Sequence, residues 1–278
     1  MSQELDEIGR WSEIKLDIIK EYAAAYSLIL AKQQKTQLHH IYIDAFAGAG
    51  MHISKGTGAP VKGSPTNALE LPVKFEEYHF VEIDSEKVKR LRSLAEGMSN
   101  VWIHEGDCNR ILQEEVFPRV RYEIYRRALC LLDPYGLHLD WGVIHAAGQK
   151  QTIEVFLNFP IMDMNRNVLR HNLESADPGQ VTRMNAFWGD ESWKRIAYEP
   201  RHTLFGDTWD MRTSNEYLVK AFRERLKTVA GFLYVPEPVL MRNSNKAPMY
   251  YFFFASCNKT GAKIVEDIFD KHRNKGVQ

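Results

Sequence analysis

Apolar and polar positions along this chain follow two periods, and each change of period marks a new element. From residue 11 to 31 the apolar positions recur at helical spacing, with Trp11, Ile14, Ile18, Tyr22, Ala25 and Ile29 on one face. Short apolar runs that suit strands follow at 41–43, 78–82, 101–104, 128–132 and 152–159. The run 128–132 is apolar without interruption, as a central strand covered on both faces requires. Helical stretches at 85–96 and 108–117 alternate with them. Residues 51–63 hold glycines and proline with no period, which predicts a loop beside the first strand, of the kind that often forms a lid. Gly63-Ser64-Pro65 then reads as a helix start with Ser64 as N-cap. A helix at 214–229 precedes two strands, 231–241 and 249–256, which form an antiparallel hairpin about residues 243–246. Pro236 and Pro238 make the first of these an edge or interrupted strand, and a last helix covers 261–271.

Strands alternating with helices and closed by a hairpin predict an α/β fold, a doubly wound Rossmann-like sheet in one domain over 1–278. Residues 161–211 break the alternation and are expected to be a helical insertion forming part of the substrate side. There Arg166, Arg170, His171, Arg183, Lys194, Arg195 and Arg201 are interleaved with Phe187, Trp188 and Trp193. Basic residues among aromatics suit a nucleic-acid surface, and an ordinary insertion with mixed charge fits as well.

Candidate chemistry collects at the predicted strand ends. The first strand runs into Asp44-Ala-Phe46-Ala-Gly48-Ala-Gly50, an acid followed by a glycine turn. A dinucleotide pyrophosphate would want a third glycine where Ile53 stands and no carboxylate in the turn. An acid here suits a cationic ligand with a free amino group, and S-adenosylmethionine is one. Glu82 ends the second strand, where a carboxylate can accept ribose hydroxyls at roughly 1.5–3 kcal/mol per bond once water is excluded. Asp84 is expected to cap the next helix. Asp107 follows the third strand, and two compatible roles are open to it: adenine acceptor and helix cap. The fourth strand ends in Asp133-Pro134-Tyr135-Gly136. Two acceptors, the Asp133 carboxylate and the Pro134 carbonyl, would localise the lone pair of a nucleobase amine, and Tyr135 would stack on the base. A plain Asp-Pro turn is the alternative. Lys15 either snorkels to solvent or points into the site, and Ser64 either caps a helix or touches a ligand.

Composition narrows the partners. Lysine plus arginine equals aspartate plus glutamate at 36 each, which argues against coating nucleic acid through bulk charge and leaves room for a local basic groove. Cys108, Cys130 and Cys257 lie far apart and read as reduced thiols, and the histidines show no metal-ligand spacing. The start is acidic and no apolar run reaches membrane length, so the chain is expected to be cytoplasmic, with no membrane and no metal.

The order of elements resembles a class I S-adenosylmethionine-dependent methyltransferase. More closely, the sequence resembles the three-Cys-motif partner protein family (TcmP). The matching residues are Trp11-Ser-x-x-Lys-Leu16, Tyr42-Ile-Asp-Ala-Phe-Ala-Gly48, Gly63-Ser-Pro65, Phe80-Val-Glu82, Asp133-Pro-Tyr-Gly136 and Phe156-Leu-Asn-Phe159, with Arg242-Asn243 and residues 250–255 near the end. That likeness implies a methyltransferase-like fold with S-adenosylmethionine as cofactor. By position, Asp44, Phe46, Gly48 and Gly50 would hold its methionine part, Glu82 its ribose and Asp107 its adenine. Asp133, Pro134 and Tyr135 resemble the D-P-P-Y motif of amino-methylating nucleic-acid enzymes, with Tyr135 in place of the second proline. Two functions are therefore expected. One is methylation of an amino nitrogen of an RNA or DNA base. The other is a partner subunit of a radical-SAM-like three-cysteine protein, with little activity alone. A nicotinamide-dependent oxidoreductase is disfavoured by Asp44 and the missing glycine.

Overall fold

The computed structural model describes residues 5–33, 38–170, 173–202 and 208–273. His171 and part of the expected 32–37 connection lie outside them, and the side chains of Arg201 and His202 are likewise outside the described set.

In chain order, β1 (Glu7–Ile8) and α1 (Arg10–Ala31) precede β2 (His39–Asp44). Next come β3 (Met51–Ser54), β4 (Pro60–Lys62), α2 (Ser64–Leu69), β5 (Glu77–Glu82), α3 (Ser85–Leu94) and β6 (Val101–Glu105). The middle of the chain forms α4 (Cys108–Ile111), β7 (Arg126–Leu132), α5 (Trp141–Lys150) and β8 (Ile153–Phe159). Then follow α6 (Ile161–Asn167), α7 (Pro178–Trp188), α8 (Trp193–Ala197), β9 (Tyr198–His202), β10 (Thr208–Arg212) and α9 (Asn215–Thr228). The chain closes with β11 (Val239–Arg242), β12 (Pro248–Ala255) and α10 (Lys259–Arg273).

Seven strands form one sheet in the order β11-β12-β8-β7-β2-β5-β6. The pairs from β8 to β6 are parallel, and β12 runs antiparallel between β8 and β11. A parallel sheet whose winding switches sides between β2 and β7, with one antiparallel strand beside β8, is a doubly wound, Rossmann-like arrangement. The strand period of two explains why both faces are covered. Ile41, Ile43, Cys130, Val155 and Phe159 point to one face, where they pack with residues of α4, α5, α7 and α9. Tyr42, Phe80, Leu131, Phe156 and Phe254 point to the other, against α1, α2, α3 and α10.

Several expectations need correction. Residues 51–63 are not an irregular loop: β3 and β4 pair antiparallel, and β1 adds to β3 in parallel. Main-chain bonds to Asp6 and Ile8 order a stretch that has no apolar period of its own. The buried stripe of α1 runs through Ile14, Ile18, Tyr22 and Tyr26, so Ile29 is exposed. The helix expected over 108–117 is one α turn, then a π turn at Leu112–Val116 and a 3-10 turn at Phe117–Arg119. The 161–211 segment is not purely helical, because β9 and β10 pair antiparallel. Its aromatics are core. Phe187, Trp188 and Trp193 are each 1% exposed or less, so none of them can stack on a base. Their indole N–H groups are used internally, Trp188 donating to Ser192 Oγ at 2.9 Å and Trp193 to Asn185 Oδ1 at 2.8 Å.

Candidate active site

Because β2, β5, β6 and β7 are parallel neighbours, the residues that follow them emerge at one edge of the sheet, at the point where the winding reverses. The turn after β2 shows why glycine stands at position 50. Its φ is +78°, and a Cβ there would lie 3.0 Å from Leu94 Cδ2 and 3.2 Å from Thr66 Oγ1. The turn is fastened to α2, since Thr66 Oγ1 donates to the Gly50 carbonyl at 2.6 Å and the Gly63 N–H donates to it at 2.8 Å.

Helix α2 starts one residue earlier than expected. Gly63 is the N-cap, so Ser64 is already helical and its hydroxyl is not spent on capping. It lies instead beside Asp44, which is fully buried at the end of β2. Burial pushes the Asp44 carboxyl up to about 7, the Ser64 hydroxyl opposes this, and the charge of Asp133 adds to it. Asp44 Oδ2 has no hydrogen-bond partner.

Glu82 is buried and its carboxylate is well supplied with donors. Oε1 accepts from the Ile83 and Asp84 N–H groups at 2.9 and 3.0 Å, and Oε2 accepts from the Gly48 N–H at 2.8 Å. Of about four lone-pair sites on a carboxylate, about one remains, on Oε2. Glu82 therefore ties the glycine turn to the end of β5. Asp84 caps α3 as expected, accepting from Glu86 and Lys87. Asp107 caps α4 through the Asn109 N–H at 3.0 Å and is exposed.

A cavity of about 200 Å3 opens between this turn, α1 and the Asp133-Pro134-Tyr135 segment. It gathers Lys15, Phe46, Gly48, Ser64, Asp133 and Tyr135 on its walls, whereas Asp44, Gly50, Glu82 and Asp107 stand outside its lining. Lys15 does not snorkel to solvent. It is 7% exposed, its ammonium is bonded to Asp133 Oδ2, and it also sits 5.2 Å above the ring of Tyr250. Pro134 is buried, while Tyr135 is 63% exposed at the mouth with the Lys87 ammonium 5.7 Å from its ring centre.

Asn158, His52 and Tyr250 are among the wall residues that were not singled out as site residues from the sequence. Asn158 is the lone amide in the buried strand β8, and its Oδ1 has no partner. That isolation is the signal that could have found it. His52, on β3, is held neutral by burial, which lowers its pKa. The Tyr250 hydroxyl donates to the Trp11 carbonyl at 3.1 Å, and burial keeps it a neutral phenol. Nothing in their local sequence brings His52 or Tyr250 to this edge. Among the described residues, no group of three or more His, Cys, Asp or Glu could hold a metal, and no helix is long and apolar enough to cross a membrane. All three cysteines are free thiols.

No family model matches this sequence, and no curated protein matches it. Solved structures do. A Legionella pneumophila protein assigned to the family model DUF519 overlays with a TM-score of 0.52 at 12% identity, covering 94% of this chain and 93% of its own. A dimethyladenosine transferase from Plasmodium falciparum overlays at TM-score 0.39 and 12% identity, over 93% of this chain and 65% of its own. The 23S rRNA methyltransferase ErmE gives TM-score 0.36 at 12% identity, over 87% and 67%. The latter two overlays are too loose to bear on this chain, and the first bears on fold alone. What this chain shares with the Legionella protein is its overall fold.

Proposed function

We propose that this protein is an S-adenosylmethionine-dependent methyltransferase acting on an amino nitrogen of a nucleic-acid base. One observation carries the reading: Phe46 to Gly48 of the glycine turn, Ser64 and Asp133-Pro134-Tyr135 share a single cavity at the carboxyl edge of a class I sheet. The cofactor fits by its donor chemistry. Its ammonium would find an unpartnered, fully buried acceptor in Asp44 Oδ2, behind the turn that carries Phe46, Gly48 and Gly50. Its ribose would take the acceptor site left on Glu82, and its adenine would lie toward Asp107 on the open side of β6. Because the cavity is below the ~300 Å3 of a usual small-molecule pocket, the nucleoside part belongs outside it, on that open side. When bound, S-adenosylmethionine supplies an electrophilic methyl group on a sulfonium, so no protein nucleophile is required.

The chain's own task is to position the amine. Lys15 engages Asp133 Oδ2 and keeps that carboxylate paired, which leaves Oδ1 to accept an amine N–H. The Pro134 carbonyl would take the second N–H. Tyr135, exposed at the mouth, would stack on a base turned out of its strand. Asp133→Ala is therefore expected to cut methyl transfer to single-stranded RNA or DNA by at least ~100-fold, the usual scale for a lost positioning or proton-accepting group. S-adenosylmethionine affinity should change little. Undiminished transfer would remove Asp133 from the chemistry.

A second reading has its own support. Both acids already have partners within the chain, Asp133 in Lys15 and Glu82 in three backbone N–H groups. That suits a methyltransferase-fold partner subunit of a three-cysteine protein, the role implied by the TcmP resemblance. Methyl transfer only when that neighbour is present would favour it.

A further inference from the structure

A second groove, of about 460 Å3, lies next to the candidate active site. Its walls come from the start of α1, the tip of the β3-β4 hairpin and the β11-β12 turn. Arg10, Lys55 and Arg242 line it together with Trp11, Asn243 and Ser244, and no carboxylate lies among the lining residues. In a chain whose 36 cationic and 36 anionic side chains balance, three cations without an acid are a local concentration of charge. Arg10 and Lys55 are exposed, and neither makes an ion pair among the described residues. Arg242 is held in place by donating from Nη1 to the Lys246 carbonyl at 2.8 Å, and its charge is partly answered by Glu216 outside the lining, so Arg10 and Lys55 are the groove's unpaired cations among the described residues. The Trp11 indole folds back over Gly9, where a Cβ would meet the ring at 2.4 Å, and so forms a fixed aromatic wall.

The groove and the cavity share the first turns of α1. Ser12 and Lys15 face the cavity, and Arg10, Trp11 and Ile14 face the groove, within about one helical turn of ~5.4 Å. Tyr250 lines the cavity and hydrogen-bonds to the Trp11 carbonyl, so the two spaces share a wall. A phosphodiester strand offers negative charge for the three cations and bases for the indole, the combination that single-strand sites use. We propose that this groove binds the backbone of the single-stranded nucleic acid flanking the target base and leads that strand to Tyr135. The inference rests on the nucleic-acid reading of the active site and adds the strand's path.

The test is fluorescence anisotropy of a labelled single-stranded oligonucleotide, as RNA and as DNA, against the wild type, Arg10→Gln/Lys55→Gln, and the triple variant that adds Arg242→Gln. S-adenosylmethionine affinity and Tm are measured alongside. The double variant involves only exposed side chains with no ion pair, so it should fold as the wild type does. Expected is a loss of affinity of at least ~10-fold, with the salt dependence of log K falling by about 0.7 for each phosphate contact removed. Cofactor affinity should not change. If the wild type binds the oligonucleotide and both variants bind it equally with the same salt slope, the groove is not the path, while the base-methylation reading stands. No binding by the wild type at low salt would overturn both. Binding of polyglutamate but not of the oligonucleotide, lost in the same variants, would overturn the proposal in favour of an acidic protein partner.

Discussion

Asp44 carries the strongest local prediction. Its carboxyl sits at about 7 because burial disfavours the charged form, and one of its oxygens has no partner. A ligand ammonium at that oxygen requires the carboxylate. Cofactor affinity should therefore be full above about pH 7 and fall as pH drops through it, by roughly tenfold per pH unit in the limit of one linked proton. Titrations between about pH 5.5 and about pH 8.5 would reveal this slope, and Asp44→Asn should flatten it as well as weaken binding. A wild-type affinity independent of pH across that range would take Asp44 out of the ammonium site. The placement of Asp44, Glu82 and Asp133 at strand ends was legible in the sequence because each closes an apolar run. Their partners were not. The Lys15–Asp133 pair joins residues 118 apart, and only the docking of α1 across the sheet edge brings them together. The helical period at 11–31 placed Lys15 at the edge of an apolar stripe and could not say what that edge would face.

At the scale of elements, the alternation of strands and helices was readable almost throughout, since period 2 and period 3.6 are imprinted by burial itself. It failed where other forces dominate. The hairpin of β3 and β4 is held by main-chain bonds and neighbouring strands, which leave no apolar period. In the 161–211 segment the interleaving of basic residues with aromatics looked like a binding surface, but the helical period sends the two sets to opposite sides. Arg166, Arg170, Arg183 and Arg195 are exposed, and the rings go inward. Phe187 and Trp188 meet Phe222 of α9, which stands 4.7 Å from Phe159, 5.6 Å from Phe187 and 5.4 Å from Trp188 between ring centres. Phe222 thus joins the segment to the sheet. Phe222→Ala should destabilise the protein by about 3–5 kcal/mol in urea unfolding, as a fully buried ring replaced by a cavity does. A loss under about 1 kcal/mol would mean that the segment packs independently of β8 and α9.

On the scale of the whole molecule, one sheet edge gathers the proposed chemistry and the surface next to it supplies the charge. The chain carries no net charge, so any attraction for a polyanion would have to be local, and the groove beside α1 gathers three cations. The reversed strand β12 serves this edge too, because Tyr250 on it walls the cavity and the turn leading into it carries Asn243 beside Arg242 in the groove. The central claim is that this edge holds S-adenosylmethionine, and calorimetric titration of the purified protein tests it most directly. The account predicts micromolar binding of both S-adenosylmethionine and S-adenosylhomocysteine. Absence of binding at millimolar ligand would contradict it.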